Sequence, residues 1–460
     1  MMDKRIFQSL VGKETLTDNG NTNKLSIQNK KIIVEVLNQH YDLNIKSPAD
    51  VDIKNAVPKN FCLYPFIHLN IDPDGRGRPC CKYKVGDASW QQDVPKLPDV
   101  NISEIWHQPE LQELRSQFLR NEKPSGCKAC WDEEEAGIIS MRKLYENGGH
   151  SHPEATFFSH IPRKSPKNLD LKLSNICNLK CRICTPFLSS QWIKEHKDLN
   201  ISDANSLKIY TSNSKEKLSE NIENFEILTE WARDINHLEF YGGEPLLQQE
   251  HDRVLDIIYQ HGRPNITELF YNTNGTICEE KFFKIWKNFK EVTISLSIDD
   301  IGDRFEYQRK NAKWEEVQNN IALFKKYKTQ YGVNLQLQLY ITVGIYNVFY
   351  LQEILEELKK FDLPVVFNMV HYPHHFSLVN LPDLVKPTIE NILQSIDATG
   401  IRFLNWSPNI DNLIRYMNDR TYDPNEFSKF WESTKVHDIY RKESFENTFP
   451  ELYNFLKEYI

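Results

Sequence analysis

The chain has 460 residues, with 56 lysines and arginines against 64 aspartates and glutamates and a formal net charge of -8, so no global basic field argues for a nucleic-acid partner. A composition of 40% hydrophobic and 12% aromatic residues excludes a mainly disordered chain, which lacks the apolar surface to offset ordering entropy. At roughly 150 residues per domain the length predicts about three domains. No apolar run approaches the roughly 20 residues that cross a bilayer. The opening MMDKRIFQSLVGKE has no sustained apolar stretch of the signal-peptide kind, so a cytoplasmic protein with no membrane partner is expected.

Residues 1–55 show no strong period and read as an N-terminal extension of unknown role. From Phe61 the pattern changes. Ile67, Leu69 and Ile71 alternate with His68, Asn70 and Asp72, and Pro73-Asp74-Gly75 supplies turn chemistry, which predicts a hairpin. A helical stretch around Ile105 to Phe118 follows, with Leu111, Leu114 and Phe118 on one face. Strands are predicted near Leu169–Leu173, His237–Tyr241, Ile266–Tyr271, Val292–Ile298, Leu335–Thr342 and Val365–Val370. Helical patterns lie between them, at Phe225–Ile235, His251–His261, Trp314–Tyr331 and Phe349–Phe361. Such alternation predicts parallel βα units, with the chemistry at the carboxyl edge of the strands. After Pro373 the chain turns helical and aromatic, through Trp431 to Tyr459, as a cap or lid would. Four segments result: 1–55, a module at 56–150, an α/β domain at 165–375 and a helical region at 376–460.

Eight of the nine cysteines crowd into Cys62, Cys80, Cys81, Cys127, Cys130, Cys177, Cys181 and Cys184, leaving Cys278 isolated. In a reducing compartment this points to metal ligands or redox chemistry before disulfides. Directly after the first predicted strand of the α/β domain, LSNICNLKCRICTP places Cys177, Cys181 and Cys184 in a C-x3-C-x2-C array on a βα loop. Three thiolates can hold three irons of a 4Fe-4S cluster and leave the fourth iron open to a ligand. Zinc is the competing reading, but it calls for a fourth Cys or His, and none follows before His196.

This array resembles the signature of the radical S-adenosylmethionine (radical SAM) superfamily, in which an apolar residue, here Ile183, precedes the last cysteine. Further segments match in order. LEFYGGEPLL holds Gly242, Gly243, Glu244 and Pro245 after the second strand, resembling the family's GGEP segment, whose backbone meets the methionine amino group. YNTNGT holds Thr273 and Asn274 after the third strand. SLSIDD holds Ser297 and Asp299 after the fourth, with Arg309 following in FEYQRKN. The resemblance implies that these residues bind S-adenosylmethionine, with Ser297 and Arg309 at its ribose or carboxylate. Of the family's fifth-strand segment, Val343, Gly344 and Asn347 are the nearest candidates. The fold implied is a partial (β/α)6 barrel with a small N-terminal α+β module and a C-terminal helical cap.

Upstream, Cys62 is followed by twelve residues, Gly75, four more residues and Cys80, and Cys127 and Cys130 add a C-x2-C pair. This spacing resembles the SPASM and twitch auxiliary-cluster modules, in the one-cluster twitch form placed before the barrel. The resemblance implies a second, auxiliary 4Fe-4S cluster on Cys62, Cys80, Cys127 and Cys130, with Cys81 an alternative ligand or a spare. Four thiolates would equally make a structural zinc site.

The resemblance further implies reductive cleavage of S-adenosylmethionine to a 5'-deoxyadenosyl radical, with an electron donor of the flavodoxin or ferredoxin type. Oxidation, crosslinking or epimerisation of a peptide or protein substrate is the expected outcome. Oxidation or epimerisation of a small sugar or alcohol, and a non-catalytic iron-sulfur redox sensor, are the alternatives. His371, Tyr372, His374 and His375, in MVHYPHHF after the sixth strand, lie where a substrate-facing acid, base or hydrogen donor is expected, or else form an exposed polar loop.

Overall fold

The computed structural model describes residues 59–83, 94–135, 139–143, 164–404, 407–419 and 421–459. The N-terminal extension at 1–55 lies outside them. Ten strands occur among these residues: β1 (His68–Ile71), β2 (Gly77–Arg78), β3 (Asn168–Leu171), β4 (Lys180–Cys181), β5 (His237–Phe240), β6 (Glu268–Thr273), β7 (Glu291–Ser297), β8 (Arg309–Lys310), β9 (Leu335–Val343) and β10 (Val365–Met369). Eight form one sheet in the order β10-β9-β7-β6-β5-β3-β1-β2, and β4 pairs with β8 apart from it. All pairs in the large sheet are parallel except β1 with β2.

The six strands expected of the α/β domain are present as β3, β5, β6, β7, β9 and β10. Each is followed by a chain segment that returns to the amino edge, as parallel pairing requires. The helices used below are α1 (Pro109–Leu119), α2 (Lys128–Glu135), α3 (Gln191–Asp198), α4 (Glu223–Trp231), α5 (Gln249–His261), α6 (Glu280–Trp286), α7 (Gly302–Gln308), α8 (Trp314–Tyr331), α9 (Leu351–Leu358) and α10 (Pro424–Arg441). Gly332, in the left-handed conformation at φ +64, ends α8.

Strand periodicity sorts the two faces of the sheet. Leu238 and Phe240 of β5, Leu269 and Tyr271 of β6 and Val292, Ile294 and Leu296 of β7 are fully buried against the helical layer. There Tyr271 lies 5.3 Å from Trp286 of α6, and Phe240 lies 4.8 Å from His251 of α5, ring centroid to centroid. The opposite face is polar, with His68, Asn70, Asp170, Glu239, Ser295 and Gln338 at the alternate positions.

The predicted hairpin forms, but it does not stand apart from the barrel. β1 pairs in parallel with β3 along its whole length, Leu69 against Leu169 and Ile71 against Leu171, and so adds a seventh parallel strand. Alternation alone shows a half-apolar strand and not which sheet it joins. The outcome follows from β3, whose four residues are all buried and whose edge would otherwise present unpaired backbone groups. After Pro373 the chain is helical, as expected. Tyr346, Phe430, Phe445 and Phe449 gather there into one aromatic cluster beside Tyr307.

Candidate active site at the carboxyl edge of the sheet

The loop between β3 and α3 carries Cys177, Cys181 and Cys184. Asn175, fully buried, closes it by donating to the carbonyls of Pro186 (2.8 Å) and Tyr210 (2.9 Å). Ser189 donates to the Leu179 carbonyl at 2.5 Å, and the Trp192 indole to the Cys181 carbonyl at 3.1 Å. β4 sets Cys181 directly opposite Arg309 of β8. Burial, and then the neighbouring thiols, push the Cys177 thiol up to about 12 and Cys184 above its usual range. Cys181 acts on both of these thiols, and Cys177 on Cys184, so the three side chains lie near one another. Arg309 acts in the opposite sense on Cys181, favouring the thiolate.

The two-glycine turn lies against this loop. Gly243 donates its N–H to the Leu188 carbonyl (3.0 Å) and Glu244 to that of Ile176 (2.8 Å). Gly243 has φ +58, and a Cβ there would stand 2.2 Å from the Ile176 carbonyl oxygen, so only glycine permits the approach. Pro245 is buried and starts the short turn that follows. The Glu244 carboxylate is fully buried and accepts from the Thr273 hydroxyl (2.7 Å), the Asn274 N–H (2.8 Å) and the Leu246 N–H (3.3 Å). Burial pushes its pKa up to about 7 despite these donors. Asn274 reaches back to the cysteine loop, its amide 2.8 Å from the Asn178 side-chain oxygen and 4.0 Å from Cys177 Sγ. The ends of β5 and β6 are thereby tied to the cysteine array.

Asp299, at φ +47, follows β7 and pairs with Arg309 at 2.5 Å. It also accepts from the Thr342 N–H at 2.9 Å. The Asn347 amide donates to the Asp299 carbonyl (2.7 Å), and the Gly344 N–H to the Asn347 side chain (2.9 Å), so the segment after β9 closes onto the same edge. Arg309 Nε is buried with no partner. Ser297 ends β7 opposite Tyr340, and Ile183 is partly buried against the core.

The MVHYPHHF residues are not gathered with these. Tyr372 is 76% exposed, His371 is exposed with Nδ1 3.0 Å from the Tyr416 hydroxyl, and His374 is half-buried beside Glu426 at 3.5 Å. His375 differs: burial lowers its pKa to about 4, and its Nε2 is buried with no partner.

Two features of the site had no sequence signal. Asn178, inside the cysteine array, donates to Thr276 at 2.8 Å. The residues flanking Cys181 are anchored from outside the loop: Lys180 to nearby Glu195 of α3 at 2.7 Å, and Arg182 to distant Asp438 of α10 and Glu443. Pairs separated by some 250 residues leave no local pattern.

In the N-terminal module Cys62 and Cys130 are buried, and Cys80 and Cys127 partly so. Each of the six pairs among these four appears in mutual elevation of the thiol pKa, after the larger effect of burial. α2 carries Cys130, and Arg142, stacked over Trp131 at 4.9 Å, donates to the Phe61 carbonyl at 2.8 Å beside Cys62. Cys81 is placed differently. Its sulfur lies 3.8 Å from Met141 Sδ and, after burial, feels Asp170, Lys172 and Glu239 on the polar face of the sheet.

Residues 171–335 match the family model of the radical SAM superfamily, and residues 62–131 that of an iron-sulfur cluster-binding domain, SPASM. The chain is thus similar to a radical SAM domain with an iron-sulfur cluster-binding domain before it. No curated protein matches it. Among solved structures, native anSMEcpe with bound AdoMet is 20% identical, covering 51% of this chain and 62% of its own, with a TM-score of 0.36. Streptococcus suis SuiB bound to S-adenosylmethionine is 15% identical over 66% of each chain, with a TM-score of 0.32. SuiB bound to precursor peptide SuiA is 13% identical over 71% of this chain and 64% of its own, at 0.28. This chain thus spans less than two thirds of either protein.

The radical SAM match implies a 4Fe-4S cluster and S-adenosylmethionine, and the SPASM match further iron-sulfur. The donor sets fit. Three thiolates at Cys177, Cys181 and Cys184 leave one iron of a 4Fe-4S cluster open, and four at Cys62, Cys80, Cys127 and Cys130 suffice for a closed one.

Proposed function

We propose that Cys177, Cys181 and Cys184 hold the 4Fe-4S cluster that cleaves S-adenosylmethionine. The observation that carries this is the contact of their loop with the two-glycine turn, beside the buried Arg309. When bound, the cluster and its sulfonium ligand supply a 5'-deoxyadenosyl radical that abstracts a substrate hydrogen, given one electron from a flavodoxin- or ferredoxin-type donor. The chain's own residues position and shield. Gly242, Gly243 and Glu244 offer a close backbone edge to an amino group. Arg309, with Nε free and Asp299 fixing one end, offers a donor to a carboxylate or ribose. Thr273, Asn274 and Ser297 complete the rim, and Ile183 and Pro245 keep it apolar.

In this reading Cys62, Cys80, Cys127 and Cys130 hold one auxiliary 4Fe-4S cluster, and Cys81 is outside the ligand set. The module at 56–150, the barrel at 165–375 and the helical region at 376–460 act as three parts of one enzyme in the cytoplasm. An auxiliary cluster that accepts the electron of a substrate radical suits oxidation, crosslinking or epimerisation. The substrate proposed is a peptide or protein: β2 and β10 are the outermost strands of the sheet and do not pair with each other, so the barrel is not closed into a ring and leaves room for a long substrate. His375, with Nε2 buried and unpartnered, is the proposed substrate-facing group of the MVHYPHHF segment, ahead of His374 and Tyr372.

Anaerobically reconstituted protein given dithionite and S-adenosylmethionine is expected to form 5'-deoxyadenosine, with Cys181→Ala reducing the yield to background. Retention of cleavage in that variant would defeat the assignment. About eight irons per chain are expected from two clusters, falling to about four in a Cys62→Ser/Cys127→Ser variant that still cleaves S-adenosylmethionine.

A further inference from the structure

His68, Asp170 and Glu239 come from three adjacent parallel strands, β1, β3 and β5. Register sets Asp170 between Asn70 and Glu239, with His68 two residues before Asn70 on the same face. One ring nitrogen of His68 and one carboxylate oxygen each of Asp170 and Glu239 all lie within 4.8 Å of one another. His68 and Asp170 are each 1% exposed.

The hydrogen bonds around the trio leave two buried polar atoms without a partner. His68 Nδ1 is 3.0 Å from the Pro79 carbonyl. A carbonyl only accepts, so Nδ1 carries the proton and Nε2 the lone pair. Nε2 is buried with no partner. Asp170 Oδ2 accepts from the Asn70 amide and lies 3.6 Å from Lys172 Nζ, while Oδ1 is buried with no partner. Glu239 is oriented by the Tyr241 hydroxyl at 2.7 Å and by His237 Nε2 at 3.1 Å. His68 Nε2 and Asp170 Oδ1, buried without partners, each cost their desolvation, since within the trio Lys172 and His237 meet only Asp170 Oδ2 and Glu239 Oε1.

We propose that His68, Asp170 and Glu239 bind a divalent first-row metal ion, at a site separate from both cysteine sets. One imidazole and two carboxylates form a hard-to-borderline donor set that takes manganese, iron(II) or zinc. Each ligand has an orienting partner: the Pro79 carbonyl for His68, Asn70 for Asp170, Tyr241 for Glu239. This is the arrangement that fixes tautomer and aim in metal centres. Three protein ligands leave coordination positions for water or a substrate oxygen on the polar face, toward Cys81 and Lys172.

The test is a titration of full-length, iron-loaded protein with Mn2+, followed by loss of the free Mn2+ electron paramagnetic resonance signal. Manganese is chosen because it takes nitrogen and oxygen donors and leaves thiolates to iron. One Mn2+ per chain is expected, and His68→Gln and Glu239→Gln, on different strands, should each weaken uptake at least about tenfold. No stoichiometric uptake by the wild-type protein overturns the proposal, and so does uptake unchanged in both variants. The readout is independent of S-adenosylmethionine cleavage, so the two assignments stand or fall separately.

Discussion

A methyl group on Gly243 would meet the Ile176 carbonyl oxygen at 2.2 Å, in a conformation at φ +58 that side chains avoid. Either the turn or the cysteine loop must move to admit it. Gly243→Ala is therefore expected to cost about 2 kcal/mol or more in denaturant unfolding, and to weaken S-adenosylmethionine binding measured by equilibrium dialysis. Gly302, also at positive φ (+54) but with no atom within 4 Å of a built Cβ, is the control, with only the conformational part of the loss. At this scale the cysteines and the two-glycine turn were legible, because their chemistry depends on residue type and short spacing. Asn178 was not. A single asparagine bridging two strand ends is indistinguishable in sequence from a loop residue. The different aims of Cys80 and Cys81 were also hidden, since spacing counts residues and does not say which way each side chain turns.

Between elements, α3 and α10 are joined by a buried charge group. Glu195 is fully buried and accepts from His437 (2.6 Å), Lys180 (2.7 Å) and Arg441 (2.9 Å). Burial alone would raise its pKa, but hydrogen bonds from His437 and Lys180 and the charge of Arg441 hold it down to about 2. A carboxylate depressed in the folded state contributes stability that is fully present above its unfolded value of 4.5 and is lost as pH falls toward about 2. Glu195→Gln leaves buried Arg441 and Lys180 without their counter-charge, and is expected to cost about 3–5 kcal/mol at neutral pH. The gap from wild type should narrow on acidification below about pH 4, read by denaturant titration of tryptophan fluorescence. The aromatic, helical character of the C-terminal region could be read from sequence because helix periodicity is local. Its grip on the residues flanking Cys181 could not, because those partners lie some 240 residues away and only folding brings them together.

For the whole molecule, the consequence of β1 pairing with β3 is that the SPASM domain and the radical SAM domain share one sheet. A fragment beginning at residue 164 would leave the β3 edge unpaired, with Leu169 and Leu171 stripped of their neighbours. It is expected to aggregate in size-exclusion chromatography, where the full chain runs as a discrete species. Six strands and their order followed from hydrophobic period and turn residues; the seventh was visible as a strand but not as a member of the barrel, because sheet membership is a tertiary property. The doublet Cys80-Cys81 marks the seam. One sulfur belongs to the four-cysteine group and the next looks onto Asp170 and Glu239. Consecutive Cα atoms are about 3.8 Å apart, so a single peptide unit divides the four-cysteine group from the carboxylates on the polar face of the sheet, and the doublet holds the two neighbourhoods in fixed register.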